Sequence, residues 1–365
     1  MTALLRRIWF QESGLMVVIV LLGLLLTFAS DPITLADGRT VNNFLRADNL
    51  IPNVATTMAP IAIMAIGATI VIAAGGIDIS VGSIYCLAAL GVAAVLQDLP
   101  ENASVWIVLP LAAATALGIG LLCGLINGLI VVGLRMHPFI VTLGTLSIFR
   151  GLALVLVKSK SLPTADRTLP HAFTDGFMQW RWMIPRGDGS PLMLQPVPML
   201  ILLACLLAGW IFLSHMVAGR EVYAVGGNEE AARFSGLSVQ RIKLRVYVLC
   251  GLTAGLAGLV SAGYFGSAST ATGEGYELMV VASAVVGGAS LSGGRGTALG
   301  GVLGALIIKL IENGISILKQ INFGLFWLPI SKEYTKIIIG IAIVLAVAID
   351  RFSEYLQSRR SRRHV

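Results

Sequence analysis

Charge is scarce in this sequence: 12% of its 365 residues are charged, where a water-soluble domain carries about 25%. With 56% of the chain hydrophobic, a water-soluble core cannot absorb the apolar surface, and a soluble enzyme or binding domain is excluded. Cysteine is also sparse. Cys86, Cys123, Cys205 and Cys250 each stand alone in an apolar stretch. That spacing offers neither a disulfide framework nor a chelating pair, so they read as small buried packing residues. The four histidines, His137, His171, His215 and His364, are scattered. No Ser/His/Asp, paired-carboxylate or metal-ligand constellation stands at useful spacing, and neither a catalytic residue nor a metal site is expected. Gly-x-x-x-x-Gly-Lys-Ser/Thr is missing as well, so this polypeptide supplies no P-loop of its own.

What the chain does contain is long uncharged runs. Residues 14–30 and 51–76 are each near the ~20 residues that cross about 30 Å of hydrocarbon as a helix. Arg6 and Arg7 ahead of the first run resemble a signal peptide, but no Ala-x-Ala cleavage site follows Ser30, so a retained first helix is expected. Hydropathy predicts an all-α polytopic bundle of about ten spans, near residues 14–30, 51–73, 78–96, 105–133, 138–157, 196–216, 244–266, 276–290, 296–318 and 335–350. An even number of crossings puts both termini on one side. Arg6-Arg7, Arg135, the Arg220 to Arg245 region, Arg295 and the tail Arg359-Arg360-Ser361-Arg362-Arg363 then fall together, which makes that side cytoplasmic.

The net charge of +7 is accordingly read as orientation and contact with anionic lipid, with no nucleic-acid partner. The organisation expected is one transmembrane domain over 1–350, with a cytoplasmic loop at 217–243, an exported loop at 158–195 and a basic cytoplasmic tail at 351–365. The exported loop, rich in Pro, Gly and Trp, is expected to fold back on itself, with Trp180 and Trp182 at headgroup level.

The 41 glycines concentrate within spans, as from Gly118 through Gly124 to Gly128 and from Gly300 to Gly304, where small residues let helix backbones approach closely. Two such helices run into Asn-Gly, at Asn127-Gly128 and Asn313-Gly314, a faint sign of a duplicated half.

Three segments stand out. Ala73-Ala74-Gly75-Gly76-Ile77-Asp78-Ile79-Ser80-Val81-Gly82-Ser83 breaks one apolar helix and starts another behind an acid. A break at membrane depth is tolerable only where protein or a wet cavity satisfies the backbone. Asp78 with Ser80 reads either as a helix cap or as part of a translocation path.

The cytoplasmic loop is patterned. Asn228 is placed to cap a short helix through Phe234, with Glu229 and Glu230 in its first turn and Gly236 as a stop. An amphipathic helix parked outside the membrane needs a partner. In the third segment, Gly273-Glu274-Gly275-Tyr276-Glu277-Leu278 leads into a helix that the pair Gly287-Gly288 interrupts, and Glu277 is placed to cap or to contact an external partner. His215 ends a span, Arg150 is expected to snorkel toward the external headgroups, and Lys309 and Glu312 are expected to pair.

With these segments on the page, residues 51–350 resemble the ribose and related monosaccharide permeases of the ATP-binding-cassette importers, relatives of the branched-chain amino acid permeases. The resemblance rests on Gly75-Gly76-Ile77-Asp78-Ile79-Ser80-Val81-Gly82, Asn127-Gly128, Pro138-Phe139-Ile140-Val141-Thr142-Leu143-Gly144, the Gly219 to Gly236 loop and Gly275-Tyr276-Glu277-Leu278. It implies a translocation path touching Asp78, Ser80, Asn127, Phe139, Thr142 and Glu277. It also implies an ATPase-coupling loop made by Gly219, Arg220, Tyr223, Gly226, Gly227, Asn228, Glu229, Ala231, Ala232, Arg233, Ser235 and Gly236.

The partners implied are a cytoplasmic ATPase subunit that binds the ATP, a periplasmic sugar-binding protein, and a second copy or a paralogous permease. This chain itself would hold no cofactor. Two departures from the family pattern are His215-Met216-Val217-Ala218, where Thr commonly precedes the Gly-Arg, and Gly287-Gly288-Ala289-Ser290, where Gly-Gly-Thr-Ser is usual. The alternative function is an ion-coupled secondary transporter, for which Asp78, Glu277 and Glu312 are the only credible embedded acids.

Overall fold

The computed structural model describes residues 2–34, 38–157, 160–185, 191–318, 320–322, 327–329, 334–345 and 348, with side chains from residue 12 onward except in 320–322 and 327–329. The helices are α1 (Thr2–Ala29), α2 (Ala47–Asn49), α3 (Thr57–Ala73), α4 (Val81–Leu96), α5 (Val105–Gly133), α6 (Pro138–Leu156), α7 (Pro196–His215), α8 (Val217–Gly227), α9 (Glu229–Phe234), α10 (Val239–Phe265), α11 (Tyr276–Val286), α12 (Ala298–Ile317) and α13 (Tyr334–Leu345). A wide turn, Leu50–Thr56, joins α2 to α3, so that Ala47–Ala73 runs as one helical span.

Seven helices among the described residues are long and apolar enough to cross a membrane. They coincide with seven of the ten expected spans. The other three expected spans contain shorter helices. The 11 residues of α11 reach only about 16 Å, and the 16 of α4 about 24 Å. Both begin part-way across the bundle because the chain before them is broken, at Gly75-Gly76 and across 266–275. The tail 351–365 and part of the last expected span lie outside the described residues.

At the centre stands α3, apolar all round and buried on every face from Met58 to Ala73, as such a helix must be. It packs against α7, α10, α11 and α12, while α10 also packs along α4 and α5, and α1 lies outermost against α12. Lipid tails are as apolar as leucine, so hydrophobic burial does not hold these helices together; close packing does. Gly120 and Gly124 of α5 face Gly251 and Gly255 of α10, and a Cβ at Gly120 or Gly251 would run into the facing helix's backbone carbonyl. A second small-residue contact sets Gly304 of α12 against the Ser283 carbonyl of α11, and Gly287 against Gly300.

The two Asn-Gly pairs are both packed, though differently: Asn313 exchanges hydrogen bonds of 2.8 and 3.0 Å with Asn49, whereas Asn127 meets Asp78 and Ser80. Cysteines 86, 123 and 250 are buried as expected; Cys205 is only half-buried.

One end of the bundle carries α8 and α9. At the other end, the chain between α6 and α7 folds back as an antiparallel pair, Trp182–Ile184 with Leu192–Leu194. Arg167 pairs with Asp98, and the Thr168 hydroxyl donates to Glu101 at 2.7 Å. These contacts tie the loop over the end of α4.

The glycine contacts make a contrast to measure. Gly251→Val forces α10 off α5 and is expected to abolish recovery of monodisperse protein in detergent. Gly118→Val on the same α5, where no atom lies within 4 Å of the added Cβ, is expected to leave yield and thermal midpoint unchanged.

Candidate functional site

Two constellations emerge, one around the helix breaks inside the bundle and one at the α8–α9 end. The first is built around the breaks. Where α3 ends, the Ala73 carbonyl accepts from Gly294 N–H at 2.9 Å, and the Tyr247 hydroxyl of α10 donates to the Ile77 carbonyl at 3.3 Å. The Asp78 carboxylate, 2% exposed, accepts from the Ser80 N–H at 2.8 Å and the Ser80 hydroxyl at 2.7 Å through one oxygen. Its other oxygen accepts from Asn127 Nδ2 at 3.1 Å, and the same Nδ2 lies 2.8 Å from the Ser80 hydroxyl. Thr142 sits beside them, its hydroxyl donating mainly to the Pro138 carbonyl, 3.0 Å away.

Asp78, Ser80, Asn127 and Thr142 are therefore one buried cluster. Its hydrogen bonds hold Ser80, the residue just before α4, and do not reach the N–H groups of the helix's first turn. Phe139 stands apart, exposed on α6, and Glu277 lies across α4, where a Cβ on Gly82 would come within 2.6 Å of its carboxylate.

The second break, between α10 and α11, has a partner that sequence reasoning misjudged. Arg150 does not snorkel outward. It turns inward and donates to the carbonyls of Thr270 at 3.1 Å and Thr272 at 2.8 Å, with the Gly82 carbonyl 3.4 Å away. The segment 266–275 is irregular backbone packed against α4, and one guanidinium with five donors satisfies two of its carbonyls, which no helix hydrogen bond reaches. Ala268–Ser269 also pairs with Ser161–Leu162. Lys309 and Glu312 pair as expected, at 2.9 Å.

The second constellation begins with a turn. After α7, Gly219 lets α8 fold back tightly, since a Cβ there would strike the Phe212 carbonyl. The 11-residue α8 was not foreseen; the pattern had marked only the helix after Asn228. The end of α8 meets two other chain segments without side chains between them: Gly226 packs on the Ala73 carbonyl that ends α3, and Gly293 and Gly294 pack on Gly226 and Gly227. Gly293 and Gly294 lie at φ +84° and +74°, a conformation glycine adopts without steric cost. The Tyr223 hydroxyl donates to the Gly296 carbonyl at 2.6 Å; burial pushes that phenol up to about 12, so it remains a donor at neutral pH.

Asn228 then caps α9, its side-chain oxygen accepting the Ala231 N–H at 2.9 Å. Gly236, at φ +83°, ends α9 with hydrogen bonds from Gly236 to Arg233 and from Leu237 to Ala232, a standard left-handed stop. Glu229 accepts from Lys243 of α10 at 2.6 Å and from Arg233 at 3.0 Å, which fastens α9 inward. The Lys243 hydrogen bond holds the Glu229 carboxyl below its usual range, against the opposing effect of burial. The pair is thus in place above the ordinary carboxylate range and is lost only as pH falls through the lowered value.

The buried face of this unit is Gly219, Val222, Val225 and Ala232; the outward face is Arg220, Gly227, Asn228, Ala231, Arg233, Ser235 and Gly236. At its tip Phe234 is 85% exposed, an aromatic that the reading of the loop had treated only as a helix end.

A bundle of long apolar helices with hydrogen-bonded breaks inside it and an amphipathic helical unit at one end is the architecture of a multi-pass membrane transport protein. The family described as the branched-chain amino acid transport system / permease component matches residues 50–347, and the chain belongs to that family as a multi-pass protein of the bacterial inner membrane. It is 38% identical to the ribose import permease protein RbsC of Escherichia coli (strain K12), over 84% of this chain and 87% of the relative. It is 34% identical to the D-allose transport system permease protein AlsC of the same strain, over 79% of each. Identity to the fructose import permease protein FrcC of Rhizobium meliloti is 33%, over 81% of this chain and 76% of the relative. No solved structure matches.

The Arg150 contacts carry a direct expectation. Arg150→Met leaves the Thr270 and Thr272 carbonyls without donors and is expected to cost about 3 kcal/mol in detergent-solubilised unfolding. Arg150→Lys, with one charged donor group, is expected to recover part of that loss.

Proposed function

We infer that this chain is the membrane-spanning permease subunit of an ATP-binding-cassette importer for a monosaccharide. The observation that carries this reading is the similarity, over more than three quarters of the chain, to permeases named for ribose, allose and fructose import. The α8–α9 end is taken as cytoplasmic, because Arg135, Arg220, Arg233, Arg241, Lys243, Arg245 and Arg295 gather in its loops and helix ends, as the positive-inside rule requires. Both termini then face the cytoplasm, ten crossings are completed by the shorter helices with their connecting segments, and 158–195 lies in the periplasm. The tail 351–365 is assigned to the cytoplasm on the same rule.

ATP belongs to a separate ATPase subunit, since this sequence has no phosphate-binding loop, and the chain itself needs no cofactor. The exposed α8–α9 face, with Phe234 at its tip, is the docking surface for that subunit; a buried aromatic anchor is the usual centre of such a contact. A periplasmic binding protein delivers the sugar to the opposite end, and a second copy or a paralogue completes the path. Asp78, Ser80, Asn127, Phe139, Thr142 and Glu277 are the residues assigned to that path or to its control. The direct packing of Gly226 on the end of α3, and of Tyr223 on the loop before α12, supplies the mechanical link. A push on α8–α9 reaches the end of α3 backbone to backbone, and the loop between α11 and α12 through Gly293, Gly294 and the Tyr223 hydroxyl.

Uptake in proteoliposomes tests the assignment. Labelled monosaccharide is expected to accumulate only when the ATPase subunit, the binding protein and ATP are all present; accumulation by this chain alone under an ion gradient would overturn it in favour of a secondary carrier. Two substitutions separate docking from coupling. Phe234→Asp is expected to lower ATPase capture at least tenfold, whereas Tyr223→Phe is expected to leave capture intact and reduce uptake per ATP hydrolysed.

A further inference from the structure

At the α8–α9 end a groove of about 640 Å³ opens between the turn joining α5 to α6 and the start of α10. Its polar lining includes Arg135, Arg233, Lys243 and Glu229, and its apolar wall includes Val131 and Met136. Three cations face one carboxylate. Glu229 already pairs with Lys243 and Arg233, and among the described residues none pairs with the Arg135 guanidinium. Arg135 is also the one described non-glycine residue at positive φ, +53°, a backbone conformation with a steric cost for any side chain. The groove thus keeps two positive charges uncompensated beside an apolar wall.

Its position decides what anion it suits. The turn 134–137 lies where two spans end, and Leu129, Leu134 and Ile140 beside it are 53, 67 and 57% exposed. An apolar surface of this kind at the end of two transmembrane helices suits acyl chains. A free anion would use the cations and leave the wall bare; an anionic phospholipid fills both, its phosphodiester on Arg135 and Lys243 and its chains along α5 and α6. Basic pockets between membrane helices recognise headgroups in this way.

We propose that the groove bounded by Arg135, Arg233 and Lys243 is a binding site for the headgroup of an anionic phospholipid. The site is separate from the path residues and does not depend on what the chain transports, though it shares Arg233 and Glu229 with the α8–α9 unit.

The test uses full-length protein in detergent, titrated with phosphatidylglycerol, phosphatidylcholine or inorganic phosphate, and read by native mass spectrometry and by thermal midpoint. Phosphatidylglycerol is expected to bind and raise the midpoint, while phosphatidylcholine and millimolar phosphate leave it unmoved. Arg135→Gln is expected to weaken phosphatidylglycerol binding roughly fivefold, the factor set by one cation at an anionic headgroup, and Arg135→Lys to restore most of it. Gln240→Glu, which adds a negative charge to the groove lining without touching the strained turn, is expected to weaken binding even where Arg135→Gln impairs folding.

Equal binding of phosphatidylcholine, or binding indifferent to both Arg135→Gln and Gln240→Glu, would overturn the proposal. So would phosphate competing with the lipid at millimolar concentration, which would make the ligand a free anion. Loss of ATPase capture in Arg135→Gln with lipid binding unchanged would also overturn it and assign the groove to the partner subunit.

Discussion

Every backbone amide at membrane depth must find its partner inside the protein, and this constraint explains more of the structure than any single apolar contact. Long helices meet it automatically. The two breaks do not, and each has acquired a dedicated set of donors and acceptors. At the first, Gly294 N–H and the Tyr247 hydroxyl satisfy the Ala73 and Ile77 carbonyls, while Asp78 accepts from Ser80. At the second, Arg150 supplies the carbonyls of Thr270 and Thr272. A charged side chain in hydrocarbon is expensive, but an arginine engaged by several carbonyls replaces the water that the loop would otherwise need.

The same constraint explains why glycine recurs where segments cross. With no hydrophobic drive between helices in lipid, cohesion comes from contacts close enough for dispersion to matter, and each contact is individually small. The α5–α10 pair brings backbone against backbone over several turns, and the α11–α12 pair over about one. The junction of Gly226, Gly293 and Gly294 with the end of α3 does so at one point. Long paired faces hold two helices in fixed register. A point contact passes on displacement but leaves each helix free to pivot about it.

Much of this was legible in the sequence, and the limits have physical causes. Seven spans followed from uninterrupted apolar runs, because length and hydropathy alone decide what crosses a bilayer. Asn228, Glu229 and Gly236 announced α9 through capping chemistry, which is local and therefore readable. The helix α8 escaped because its residues mix glycine, apolar and charged types over only 11 positions, and its stability comes from packing against α7, α3 and α10. The truncated lengths of α4 and α11 were hidden because hydropathy does not register where within an apolar run the helix begins.

Arg150 was misread for a related reason. An arginine near a span end ordinarily reaches for headgroups, and only the fold reveals that carbonyls 120 residues away in sequence lie within its reach. The Asp78 cluster was half legible: the acid before a helix was visible, but Asn127, which completes the cluster from α5, lies 49 residues away.

The distribution of rigid and interrupted segments bears on how the bundle could change shape. The helix α3 is buried on every face and cannot itself line a wet passage without dismantling the core. Its two ends differ. One runs without interruption from the Leu50–Thr56 turn; the other stops at Gly75-Gly76, beside α8 and before the Asp78 cluster. A displacement of α8 would therefore meet first the end of this fully buried helix and then the break at Gly75-Gly76. The hydrogen-bonded cluster of Asp78, Ser80 and Asn127 lies at that boundary, where it ties the residue before α4 to α5 rather than to α3.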